Sequence, residues 1–201
     1  MTGSASWREL AEAGHTGDAA TARAALTADD AASRELAIGA LHRMQQLTPD
    51  ELAQAMSDTS ATVRRRAALI AATRPGTHLL GVLADQDASV VEAAAWAAGE
   101  HATEPSSITD ELLARLIALG TDADEALVRE AAVAALGAIG DERGLPTILK
   151  ACTDKPTVRR RAVLALAPFE GAEVEAAIAA ALDDRDWQVR QAAEDIAPDR
   201  T

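Results

Sequence analysis

Tyrosine is absent from this chain, and aromatic residues of any kind make up only 2% of its 201 positions, one Phe and three Trp. The hydrophobic fraction of 48% is therefore carried by small and branched side chains, Ala above all. A core of that kind packs helices closely. A single cysteine, Cys152, cannot form a disulfide within the chain and excludes zinc sites built from several Cys. Positive charge is scarce as well: 19 Lys plus Arg against 32 Asp plus Glu leave a net charge of −13. That balance opposes the counterion release on which nucleic-acid binding depends, so no nucleic-acid partner is expected. No stretch approaches the roughly 20 apolar residues of a membrane span. The segment from Met1 to Glu9 has no basic start followed by an apolar run, so the expected compartment is the cytoplasm.

What is present is a repeat. Val63-Arg64-Arg65-Arg66-Ala67, Val128-Arg129-Glu130-Ala131-Ala132, Val158-Arg159-Arg160-Arg161-Ala162 and Val189-Arg190-Gln191-Ala192-Ala193 are four clear copies, and weaker ones start at Ser33 and Val90. With the first residue of each copy as position zero, the spacings are 30, 27, 38, 30 and 31 residues. Regular self-similarity on this scale predicts a stacked-repeat architecture. Apolar residues fall at 0, +4, +7 and +8, one face of a 3.6-residue period. Position +4 is Ala in all six copies, Ala37, Ala67, Ala94, Ala132, Ala162 and Ala193. Second amphipathic segments, among them Glu51–Met56, Leu79–Leu83, Leu112–Leu119, Leu145–Ala151 and Val174–Leu182, lie between these helices. Each repeat thus reads as a helix, a turn and a helix.

The connections carry helix-start and helix-stop signals. Thr48-Pro49-Asp50-Glu51 combines a cap, a Pro at the first helical position and a Glu three residues after the cap. Acidic residues precede the repeated helix, at Asp29 and Asp30, Asp58, Asp85 and Asp87, Asp122 and Asp124, Asp154, and Asp184 and Asp186. There they suit the exposed N–H groups and the positive end of the helix dipole. The long spacing contains Ala102–Ser107 and reads as an enlarged loop.

The stretch Asp122-Ala123-Asp124-Glu125-Ala126-Leu127-Val128-Arg129-Glu130-Ala131-Ala132-Val133-Ala134-Ala135-Leu136-Gly137-Ala138-Ile139-Gly140-Asp141 resembles the short HEAT-like repeat first associated with phycobilisome lyases, and Asp186-Trp187-Gln188-Val189-Arg190 is a second close match. The resemblance covers about residues 28 to 197. It implies a right-handed α-α superhelix, an all-α HEAT-like solenoid of about six helical hairpins. It also implies a role for Arg at +1, namely Arg34, Arg64, Arg129, Arg159 and Arg190: a structural ladder to the acidic turn of a neighbouring repeat, for which Arg suits bidentate pairing. Val91 breaks the series just before the enlarged loop, where a softer joint is expected.

Position +2 faces away from the core, on the row that lines the concave side of such solenoids. Its occupants include Arg65, Glu92, Glu130 and Arg160, with Trp96 near the same face. Arg65 and Arg160 read either as solvated charge or as anchors for an acidic partner segment. Trp96 reads either as half-buried packing or as a binding hot spot. Trp7 and Trp187 read as structural caps. No catalytic constellation emerges: the +2 and +3 positions hold no His-Glu pair of the kind by which HEAT-like deoxyhypusine hydroxylases hold iron. His15, His42, His78 and His101 are scattered, with no metal spacing between them, and are expected at the surface or in turns. Cys152, in an apolar helix segment, reads as a buried thiol. No metal and no cofactor is expected. The sequence leaves the oligomeric state open.

The expected protein is a single HEAT-like repeat domain over 1–201, with capping helices in 1–27, repeats in 28–197 and a tail in 198–201. Its expected role is a protein-binding scaffold or adaptor presenting a concave helical surface to a partner protein. The alternative is a noncatalytic or regulatory subunit of a lyase-like enzyme related to bilin lyases.

Overall fold

The computed structural model describes residues 7–197; residues 1–6 of the expected capping segment and the expected tail at 198–201 lie outside them. Thirteen α-helices and no strand occur among the described residues. In chain order they are α1 (Trp7–Thr16), α2 (Ala19–Ala24), α3 (Ala31–Arg43), α4 (Pro49–Ala55), α5 (Ala61–Ala71), α6 (Leu80–Leu83), α7 (Ala88–Glu100), α8 (Asp110–Asp122), α9 (Ala126–Ile139), α10 (Leu145–Ala151), α11 (Pro156–Ala165), α12 (Ala172–Leu182) and α13 (Trp187–Ile196). The six repeated helices are α3, α5, α7, α9, α11 and α13. The expected enlarged loop is two short 3₁₀ turns, His101–Thr103 and Pro105–Ser107. Among the described residues no helix is long and apolar enough to cross a membrane.

Two layers follow from the contacts. Odd-numbered helices pack side by side from α1 to α13, and each even-numbered helix folds back on the odd helix after it. This is the α-α solenoid expected from the repeat. The Ala at +4 is fully buried in all six copies, and larger buried side chains such as Leu41, Leu136 and Leu166 at +8 fill the space between the layers. Small residues bring the odd helices to backbone contact. A methyl group placed on Gly137 of α9 would stand 2.6 Å from the Cα of Ala165 in α11, and one on Gly99 of α7 would stand 3.1 Å from the Cα of Ala135 in α9.

The connections form as the residues dictate. Thr48 and Glu51 make a reciprocal capping box at the start of α4. Asp30, Asp87 and Asp186 accept hydrogen bonds from the first-turn amides of α3, α7 and α13. At the far end, α13 carries exposed Glu194 at +5, where the five earlier helices bury Ile38, Ala68, Ala95, Val133 and Val163. A charged outward face of that kind suits the last helix of a stack.

His101 lies in a turn and is buried rather than at the surface. His101 is only 1% exposed, and its Nε2 lies 2.8 Å from the carbonyl oxygen of Ala71. The 3₁₀ turn after α7 folds the ring onto the C-terminal end of α5, where helix carbonyls lack intrahelical partners. His15 and His78 are exposed, and His42 is partly buried.

Candidate functional site

The structure joins the +1 arginines to the acidic turns in four rungs. Arg34 grips Asp58 with Nε and Nη2, both at 2.7 Å. Arg64 grips Asp85 at 2.6 and 2.8 Å, Arg129 grips Asp154 at 2.6 and 2.8 Å, and Arg159 grips Asp184 with both contacts at 2.8 Å. Each of these arginines also donates through Nη1 to a carbonyl of the turn before its own helix. The carboxylates cap as well: Asp58, Asp85 and Asp184 accept the amide two residues on, and Asp154 the next amide. Hydrogen bonds from the arginines hold these four carboxyls below the usual aspartate range, against the opposing effect of burial. The ladder is a fastening between repeats with no free group to offer a ligand. Arg190 donates to the carbonyl of Asp184 at 2.7 Å and grips no carboxylate among the described residues.

The fifth rung is missing. Val91 stands in the arginine position of α7, and before α9 Ala123 stands at the position that supplies the carboxylate in three of the four rungs, with Asp124 at the position used by Asp154. Val91 is buried and Ala123 packs against the same core. There α7 and α9 pack through an apolar contact and the close approach at Gly99.

The +2 row lies on the outer surface of the odd layer and places Arg65, Glu92, Glu130 and Arg160 on four successive helices, α5, α7, α9 and α11. Arg65 Nη2 lies 3.9 Å from Glu92 Oε2, and Arg161 Nε lies 3.8 Å from Glu130 Oε1. Both distances allow charge attraction and are too long for hydrogen bonds. Arg160 is exposed and has no ion pair among the described residues. Basic side chains on α5 and α11 thus flank acidic ones on α7 and α9. Trp96 stands in the acidic middle, 44% exposed, one helical turn from Glu92 on one side and from Glu100 on the other.

The other tryptophans are elsewhere. Trp7 is 63% exposed at the start of α1. Trp187, read in the sequence as a structural cap, is 64% exposed at the first turn of α13. Cys152 is partly buried, and burial pushes its thiol up to about 11, which leaves it protonated and unreactive at neutral pH. Among the described residues no group of three or more His, Cys, Asp or Glu is placed to hold a metal ion.

The fold is that of an all-helical repeat solenoid, the architecture shared by HEAT and armadillo repeats. Residues 76–167 match the family described as HEAT repeats. The structure is similar to a designed armadillo repeat protein solved in complex with the peptide (KR)4, with a TM-score of 0.66 at 17% identity over 88% of this chain and 96% of that one. It is similar to YibA of Escherichia coli, with a TM-score of 0.66 at 17% identity over 96% of this chain and 75% of that one. A second designed armadillo repeat protein gives a TM-score of 0.62 at 17% identity over 86% and 95% of the two chains. No curated protein sequence matches the chain.

Proposed function

We propose that this chain is a protein-binding scaffold, one repeat domain over 28–197 capped by 1–27, and that its partner docks along the exposed face of the odd helices. The observation that carries the reading is Trp96, a large aromatic side chain 44% exposed in the middle of a row of charged residues contributed by four helices. Large exposed aromatics framed by polar groups are typical of interface centres. We take this face as the concave side, and a rigid stack orders few of its own side chains on binding, which keeps the entropic cost low. Trp96, Glu92 and Glu130 form the centre of the contact, with Arg65 and Arg160 at its two edges. A designed protein of similar fold was solved in complex with the peptide (KR)4, which supports a protein or peptide partner.

The Val-Arg pattern and acidic turns also favour the short phycobilisome-lyase HEAT-like class for these repeats. The lyase-subunit alternative gains no support from the comparisons. A random peptide library displayed against the full chain tests the scaffold reading, with the selected peptides mapped by amide shifts on the ¹⁵N-labelled protein. Shifts following the +2 and +6 rows from α5 to α11 are expected. Shifts confined to the even helices or to the turns would contradict it.

A further inference from the structure

The even layer has a gap. Helix α6 has four residues where α4 and α10 have seven and α8 has thirteen, and it closes the shortest of the repeat spacings, 27 residues. Between α4 and α6 lies a cleft of about 740 Å³, walled on its third side by the connection from Arg74 to His78. The volume falls within the range of about 300–1,000 Å³ typical of small-molecule sites. Leu52, Met56 and Val82 give it an apolar floor, and Met adapts readily to the shape of an apolar guest. Gly81 keeps it open, since a methyl group placed there would meet nothing within 4 Å.

The rim is not neutral. Arg74 donates through Nη1 to the carbonyl of Leu47 at 2.7 Å, which fixes its guanidinium at the mouth while its remaining N–H groups have no acceptor among the described residues. His78 lies on the same rim, and Asp50 is the one carboxylate facing them. On a chain of net charge −13, a fixed guanidinium without a carboxylate partner is a feature that needs a use. We propose that the cleft binds a small amphiphile, an aliphatic carboxylate whose chain lies along α4 over Leu52 and Met56 and whose head group is held by Arg74. Helix α4 is about 10 Å long at 1.5 Å per residue, which sets the length of chain the floor can cover. The cleft is on the layer opposite the proposed protein-docking face and is independent of it.

The test titrates octanoate and 1-octanol into the ¹⁵N-labelled full chain and follows the amides of Gly76, Thr77, Gly81 and Val82. Saturable shifts with octanoate are expected, and octanol should bind about tenfold more weakly, as loss of a charge-assisted hydrogen bond implies. Arg74→Gln should remove that difference, and Gly81→Leu, with helicity unchanged by circular dichroism, should bind neither probe. Equal binding of the two probes to the wild type, no saturable shift, or undiminished binding by folded Gly81→Leu would overturn the proposal. The wild-type comparison decides by itself if either variant fails to fold.

Discussion

At the scale of single residues, the fold rests on side chains that are small in one place and long in another. Gly137 admits Ala165 to backbone contact, so Gly137→Ala is expected to destabilise by about 1–3 kcal/mol through overpacking, read from the urea midpoint. Gly81→Ala, in a helix with open space beside it, should instead be neutral or raise stability by about 1 kcal/mol. The long side chains are the ladder arginines. Arg159 is 6% exposed, and Arg159→Ala would leave Asp184 without its cation at a cost of about 2 kcal/mol. The same carboxylates set the response to acid. Asp58, Asp85, Asp154 and Asp184 are held below their unfolded value of about 3.9, so the unfolded chain binds more protons than the folded one as the pH falls through that range. Their contribution is complete above about pH 4 and is lost progressively as the pH drops through the folded values. A urea midpoint flat from pH 7 to 5 and falling below 4 is expected, with a shallower fall in Asp184→Asn. The sequence showed both members of this ladder through the regular Arg and the acidic turn. It did not show which Asp of a pair would be taken, because that depends on turn geometry: the carboxylate lies five residues before the repeat start in three rungs and four before it at Asp154. It showed nothing of His101, whose burial depends on a 3₁₀ turn folding onto the end of a helix thirty residues earlier.

At the scale of helices and repeats, the interruption between α7 and α9 is the informative element. Val91 gains its meaning beside Ala123, which puts a methyl group at the position where three of the four rungs have their carboxylate. Replacing a partly buried ion pair by apolar groups on both sides costs little, whereas a single charge left there costs a good deal. Val91→Arg is therefore expected to destabilise by about 3 kcal/mol, and adding Ala123→Asp should recover most of the loss. A double-mutant cycle in urea measures the coupling; equal stability of the single and double variants would contradict a shared rung. Helix α6 is a second case. The 27-residue spacing was visible in the sequence, but only the structure shows that the missing residues come from the even helix and leave a cleft beside α4. The +4 alanines, the capping box at Thr48 and the long turn after α7 were legible because each depends on local pattern. Glu194 went unnoticed since its significance lies in the buried residues at the same position of five other helices.

For the molecule as a whole, the layered stack turns a one-dimensional repeat into a surface on which positions far apart in sequence share one face. Arg65 and Arg160 are separated by 95 residues of chain (160 − 65), yet three successive helix contacts of about 8–10 Å each connect their helices. The period made that juxtaposition legible. The pairing of Arg65 with Glu92 and of Arg161 with Glu130 was not, because it depends on how side chains reach across from one helix to the next. The odd-helix face, centred on Trp96, is the proposed docking surface. The most direct test compares the affinity of a display-selected peptide for the wild type, Trp96→Ala and Trp187→Ala, two exposed tryptophans of which one lies on that face and the other on the turn edge. Trp96→Ala is expected to weaken binding about 30-fold, the loss of a hot-spot side chain worth about 2 kcal/mol, with Trp187→Ala indistinguishable from wild type. Unchanged affinity in Trp96→Ala, or a loss confined to Trp187→Ala, would contradict the account.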